Sequence, residues 1–147
     1  MPDRTPQQTA DFVRQGMFAH DRATQSLGMT ILEVAPGRAA LHMTVREDML
    51  NGHRTCHGGF IAALADSTFA FACNSYNELT VASGFGIDFV APAHQGDLLT
   101  ARCAEISKTG RTGVYDVEVL NQHGARVALF RGRSHTVKDK PAVPESR

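Results

Sequence analysis

The chain has 147 residues, 15 Lys and Arg against 15 Asp and Glu, and a formal net charge of zero. That length fits one domain with its own core, and the even charge excludes the basic face of a nucleic-acid or anionic-membrane binder. No apolar run approaches the roughly 20 residues of a bilayer span, and the N-terminus carries no apolar signal segment, so a cytoplasmic location is expected.

A single domain over residues 1–147 is expected, with polar or proline-bearing ends at 1–5 and 139–147 that fray. Residues 6–26 read as one amphipathic helix with Phe12, Val13, Met17 and Phe18 on one side. Residues 28–36 and 38–48 read as two strands joined at Pro36-Gly37, a hairpin. After a loop at 49–56, residues 57–76 read as a helix that is apolar on most sides: Phe60, Ile61, Leu64, Phe69 and Phe71 leave little polar surface. Four strands follow, over 80–91, 97–107, 112–121 and 125–137, separated by turn residues such as Gly96, Gly110 and Gly124. Strands that meander pair antiparallel. The fold class is therefore α+β: a long central helix wrapped by a curved antiparallel sheet.

Within the central helix stands one carboxylate, Asp66. Its neighbours on that face, Ala62, Ala63 and Ala70, are small and leave room for a ligand or a second chain. Asp66 is either a structural acid satisfied by a hydroxyl or a strand, or a group kept for use, because a buried ionised carboxylate is costly otherwise. Ser67 adds polarity beside it. The helix opens on His57-Gly58-Gly59. Two glycines at a helix entry either pack closely on a strand or let an acyl oxygen reach the bare N–H of Gly58 or Gly59. Gly58 and Asp66 are eight positions apart, about 12 Å along one helix. Two antiparallel copies of the helix about a two-fold axis bring Gly58 of one chain to Asp66 of the other, which predicts a homodimer with two shared sites. Asn51 is a turn residue before Gly52, or an amide that orients water or a substrate carbonyl.

Other chemistries are weaker. His53 and His57 have a metal-like spacing but no third ligand, so no metal is expected. The three cysteines, Cys56, Cys73 and Cys103, form no CxxC pair, which argues against a disulfide framework or structural zinc. Cys56 next to His57 suggests a thiol nucleophile, but adjacent residues rarely present side chains to each other.

The run MLNGHRTCHGGFIAALADSTFAFACNSYN, with IDFVAPAHQGDLLTA, KTGRTGVYDVEVLNQ and VALFRGRSH, resembles the hotdog-fold acyl-CoA thioesterases. Within them it is similar to the phenylacetate-degradation (PaaI) family, over about residues 15 to 137. The resemblance implies the hotdog fold, a dimer paired into a homotetramer, and a site shared across the dimer. It implies hydrolysis of aryl-acetyl-CoA thioesters such as phenylacetyl-CoA and its ring-hydroxylated forms, in aerobic phenylacetate catabolism. It gives Asp66 the role of base or nucleophile, Asn51 that of positioning water or the thioester, and Gly58, with His57 beside it, that of polarising the carbonyl. Substrate contacts are then expected at Gly59 and Ser67, and at Lys108 and Arg111, with Arg131 and Arg133, for the phosphates. No cofactor is expected, CoA being part of the substrate. The alternatives are a hotdog acyl-thioester hydratase or dehydratase, which would carry a His-Phe-Pro-Gly type entry, and a non-catalytic acyl-CoA sensor.

Overall fold

The computed structural model describes residues 3–145. The N-terminal segment forms two helices where one was expected: α1 over Pro6–His20 and α2 over Arg22–Ser26. Thr5 and Gln8 close a reciprocal capping box at the start of α1, with Pro6 in its first turn. Asp21 divides the two helices. It caps the end of α1 and, through its side chain, the start of α2.

The hairpin follows as β1 (Thr30–Ala35) and β2 (Arg38–Thr44). A short 3-10 turn over Glu47–Met49 leads to the central helix, α3, over Gly58–Cys73. This helix ends three residues before the expected 76. Asn74 ends it by turning its amide onto the start of β3: its Nδ2 donates to Thr80 O at 3.0 Å and its Oδ1 accepts from Thr80 N at 2.9 Å. The remaining strands are β3 (Thr80–Phe89), β4 (Leu98–Thr109), β5 (Thr112–Leu120) and β6 (Arg126–Thr136).

All six strands form one antiparallel sheet in the order β1-β2-β4-β5-β6-β3. The order corrects a simple meander. β3 leaves α3 at the far edge and pairs with β6, so β2 and β4 become neighbours across the whole helix. The sheet curls round α3, as the apolar pattern predicts.

The core is the inner face of the sheet against Ile61, Leu64, Ala65, Phe69, Phe71 and Ala72 of α3. Phe69 is its centre, with its ring 5.5 Å from Tyr115 and 5.7 Å from Phe130. One stripe of α3 stays open: Gly59 is exposed and Ala62, Ala63, Asp66, Ser67 and Ala70 are half-buried. Residues at i, i+3, i+4 and i+7 share a helix face, which is why these six lie together.

The two sheet edges differ. Along β1, side chains of α1 occupy the outer carbonyls: Gln7 donates to Val34 O and Arg14 to Ile31 O, both at 2.8 Å. Along β3 no strand among the described residues covers the edge, and Val81, Phe85 and Phe89, with Val90 just beyond, are exposed there. The segment after β6, up to Glu145, lies against the rest of the chain, where the sequence suggests fraying from 139. Leu79 N donates to Lys140 O, Asn77 exchanges hydrogen bonds with Val143, and Arg4 pairs with Glu145.

Phe69→Ala removes the ring on which three elements converge. The expected loss is about 3–5 kcal/mol of unfolding free energy, read from the midpoint of a urea titration at unchanged slope.

Candidate functional site

The entry to α3 is set by two loops that are stitched together. His57 N donates to Met49 O and Cys56 N to Ala93 O, each at 2.8 Å. Isolated bridges join Leu50 to Cys56 and Thr55 to His94. These bonds present the first turn of α3 to a cleft of about 470 Å³, lined by Thr55, Cys56, Gly58, Ile61, Phe89 and Pro92.

His57 is the N-cap of α3, and no side chain caps the helix there. The first N–H groups of α3 are thus without a capping side chain, at the positive end of the helix dipole. The two glycines have different reasons. A Cβ on Gly58 would lie 2.8 Å from the Phe89 ring, so this glycine is demanded by packing on β3. A Cβ on Gly59 would meet nothing within 4 Å. The second glycine therefore keeps open a space that this chain does not fill.

The Asn51 amide is largely spent on its own loop. Its Oδ1 accepts from His53 N at 2.9 Å and Thr55 N at 3.1 Å, while its Nδ2 donates to Thr55 Oγ1 at 2.9 Å. This is the turn role, and it leaves one amide N–H over. The loop also holds Arg54 at a positive φ of 64°.

Asp66 stands two turns further along the open stripe of α3. Burial pushes its carboxyl above the usual carboxylate range, and the negative charge of Asp21 adds to the push. Ser67, the next residue, lies with its hydroxyl 3.4 Å from that of Thr24 on α2.

The basic residues do not gather with these groups in one chain. Lys108 and Arg111 flank the β4–β5 turn, at the opposite end of α3. Lys108 Nζ is 3.2 Å from Glu78 and 4.4 Å from the centre of the Tyr76 ring. Arg111 lines a separate hollow of about 550 Å³ with Glu78, Lys138 and Lys140. Arg131 is on the outer sheet face, doubly hydrogen-bonded to Asp116 at 2.6 and 2.7 Å. Arg133 lies over Gly84 of β3. The larger outer hollow, of about 650 Å³, is walled by Arg102, Asp116, Glu118, Leu129 and Arg131, on the sheet face away from α3.

Two residues near the site escape the sequence reading. Phe89 shows only as one apolar position in an alternating strand, and its contact with Gly58 depends on where β3 lands in the sheet. Asp21 did leave a weak signal, since Asp is a favoured N-cap residue, but with no Glu or Gln three residues on it fell inside a segment read as continuous helix.

The family model described as "Thioesterase superfamily" matches residues 53–128. The chain is 46% identical over 121 residues to the acyl-coenzyme A thioesterase PaaI of Escherichia coli (strain K12), covering 82% of this chain and 86% of that one. It superimposes on the structure of the E. coli PaaI protein from the phenylacetic acid degradation operon with a TM-score of 0.89, at 43% identity, over 90% of this chain and 96% of that one. A mutant of the phenylacetic acid degradation protein PaaI from Thermus thermophilus matches with a TM-score of 0.77 at 40% identity, over 80% and 100% of the two chains.

The thiols give a direct check on site chemistry. All three cysteines are buried, and burial pushes Cys56 to about 11 and Cys73 to about 12. At pH 8 the native protein is expected to react slowly with a thiol reagent, since the thiolate is the reactive form. The three cysteines should react together once denaturant is added. Fast labelling of Cys56 in the native protein would restore the thiol as a nucleophile.

Proposed function

From the premise that the chain belongs to the thioesterase superfamily, as a PaaI-like acyl-CoA thioesterase of the hotdog fold, we propose that it hydrolyses phenylacetyl-CoA and its ring-hydroxylated forms in aerobic phenylacetate catabolism. The observation that carries the chemistry is the uncapped start of α3, where Gly59 borders open space beside the cleft. An oxyanion formed from a thioester carbonyl is stabilised there by backbone N–H groups and the helix dipole. The substrate class is supported by the likeness to the E. coli and Thermus PaaI proteins. A cytoplasmic location goes with this reading, and among the described residues no helix is long and apolar enough to cross a membrane.

Asp66 is the reacting carboxylate. In one route it takes a proton from water, the hydroxide adds to the carbonyl, and collapse of the tetrahedral intermediate expels the CoA thiolate, which takes that proton back. In the other, the carboxylate itself adds to the carbonyl and expels the thiolate, and water then cleaves the mixed anhydride. Its raised proton affinity helps either route. In this reading the spare N–H of Asn51, in the loop that leads to α3, and the exposed His57 at its N-cap orient water or the thioester. No metal or cofactor is needed for either route.

The site is shared between two chains. Asp66 lies about 12 Å from Gly58 along α3, too far to serve the same carbonyl. The bare, apolar edge of β3 supports pairing with a second copy, because a long uncovered edge strand is a template for another strand. Antiparallel pairing of two β3 strands puts the Phe89 end of one beside the Thr80 end of the other. It thereby carries the Lys108–Arg111 end of one chain toward the helix start of its partner, where CoA phosphates need cations. Two such dimers make the tetramer.

Two measurements test this. Asp66→Asn is expected to lower the rate of thiol release from phenylacetyl-CoA by about 10³-fold or more, about 4 kcal/mol of barrier. A folded variant with full activity overturns the assignment, and a wild-type preference for straight-chain acyl-CoA overturns the substrate class. Val81→Arg, which puts a charge on the β3 edge, is expected to yield monomers in sedimentation equilibrium and to lose hydrolysis together with the dimer. An active monomer ends the shared-site reading.

A further inference from the structure

The segment after β6 builds a basic hollow at one end of the sheet, beyond the residues 53–128 that the family model matches. Leu79, just before β3, is bonded on both sides by this segment: Val137 N donates to Leu79 O and Leu79 N to Lys140 O, each at 2.8 Å. Asp139, at a positive φ of 59°, turns the chain between them. Asn77 exchanges two further hydrogen bonds with the backbone of Val143, at 2.8 and 3.1 Å. These bonds fix the backbone of the turn, and the side chains of Lys138 and Lys140 stay exposed. Arg111, whose carbonyl accepts from Thr136 N at 2.8 Å, joins the two lysines in lining one hollow of about 550 Å³.

The charges in this hollow do not cancel, although those of the whole chain sum to zero. Arg111, Lys138 and Lys140 share it with Glu78 and Asp139, and Lys108 Nζ, 3.2 Å from Glu78 Oε1, occupies the first of these carboxylates. Among the described residues Arg111, Lys138 and Lys140 form no ion pair. The outer hollow differs, since its Arg131 is locked to Asp116 at 2.6 and 2.7 Å. A concave surface with an excess of one charge focuses its field on a ligand of the opposite sign. Ammonium and guanidinium groups bind phosphate oxygens through charge-assisted hydrogen bonds.

The position of the hollow says which anion. Thr80 opens β3 and pairs with Thr136 at the end of β6, so the hollow lies against the Thr80 end of β3. Antiparallel pairing of two β3 strands sets that end beside Phe89 of the second copy, and Phe89 packs on Gly58 at the start of α3. The hollow of each chain then faces, across the interface, the helix start that polarises the thioester carbonyl. We propose that Lys138 and Lys140, with Arg111, hold the phosphates at the nucleotide end of the substrate, so that the turn after β6 selects a CoA thioester over the same acyl group on a shorter thiol. This deepens the proposed hydrolysis and rests on the shared-site dimer.

The test compares wild type with Lys138→Ala, Lys140→Ala and the double variant, and with Arg126→Ala at the other end of β6 as a control. Both lysines are exposed and the turn is held by its backbone, so the variants should unfold at the wild-type temperature. Calorimetry reads the binding of adenosine 3′,5′-bisphosphate, a fragment of CoA without thiol or acyl group. Hydrolysis is followed on phenylacetyl-CoA and on the phenylacetyl thioester of N-acetylcysteamine, which has no nucleotide. The double variant is expected to bind the bisphosphate about tenfold more weakly and to raise KM for phenylacetyl-CoA by a similar factor. Its rate on the short thioester should stay at the wild-type value, and added salt should weaken bisphosphate binding more in wild type than in the double variant. Full bisphosphate binding by the double variant overturns the inference, as does an equal weakening in Arg126→Ala. An equal loss on both thioesters overturns it too, by making the turn a structural support. Weaker bisphosphate binding with an unchanged KM for phenylacetyl-CoA overturns it as well, because the hollow then serves some other nucleotide. If wild type hydrolyses neither thioester and the lysines still carry bisphosphate binding, the nucleotide site stands and the thioesterase reading falls.

Discussion

The ring of Phe69 lies on the bare Cα of Gly132, and most of this molecule follows from that contact. A Cβ on Gly132 would come within 2.8 Å of the ring. With glycine there, β6 closes onto α3, and Phe69 reaches both Tyr115 on β5 and Phe130 on β6. The sheet can then wrap the helix rather than lie flat beside it. Gly113 on β5 makes a similar allowance for Tyr115, since a Cβ there would sit 2.8 Å from the tyrosine ring. Tyr115 spans the interior and donates its hydroxyl to Glu105 on β4, which Tyr76 also does from beyond α3. Two donors to one carboxylate tie the end of the helix to the middle of the sheet. Burial and the Glu105 charge push both phenols up, keeping them protonated donors.

The two ends of α3 are treated in opposite ways. At the C-terminal end two side chains bind the helix end into the fold. Asn74 joins the last turn to β3, and Ser75 accepts from Gly37 N while donating to Ala72 O. At the N-terminal end the backbone amides have no capping side chain, and a glycine there faces open space. An uncapped helix start usually costs about 1 kcal/mol relative to a good cap. The closed end anchors α3 in the sheet, so the open end can be left bare without the helix shifting. That is the condition a preorganised oxyanion site requires.

The charges show the same division. On the outer surface they are paired, as in Asp116–Arg131, Glu118–Arg126 and Glu33–Arg38, where exposed pairs contribute little to stability. Inside, on the open stripe of α3, Asp66 has no cation partner among the described residues, and burial and then the Asp21 charge push its carboxyl up. The proposed catalytic role of Asp66 draws on that contrast. The β3 edge repeats the contrast on a larger scale, since β1 is covered by Gln7 and Arg14 while β3 is apolar and bare. The helix start, the Asp66 stripe and the β3 edge are the parts that the proposed second copy and substrate would complete.

The sequence by itself determined the elements and their class. The all-round apolar pattern of 57–76 and the period-two strands after it are local signals, and local patterns survive reading without neighbours. It also singled out Asp66 and the glycine pair, because a charge in an apolar helix and two glycines at its entry are out of place locally. The break at Asp21 was legible as a cap but lost in a longer amphipathic pattern. Only the tertiary structure decided that β3 crosses to the far edge and puts Phe89 on Gly58, since strand order depends on contacts distant in sequence. Only there do the two glycines separate into one needed for packing and one left open, and only there is Asn51 seen to hold its own loop. Lys108 and Arg111 are expected from sequence to meet CoA phosphates, and only the fold shows that they lie at the far end of α3, so that within the proposal they serve the partner's site. The physical reason is the same in each case: residue type sets what a side chain can do, but the path of the backbone sets what lies within reach of it.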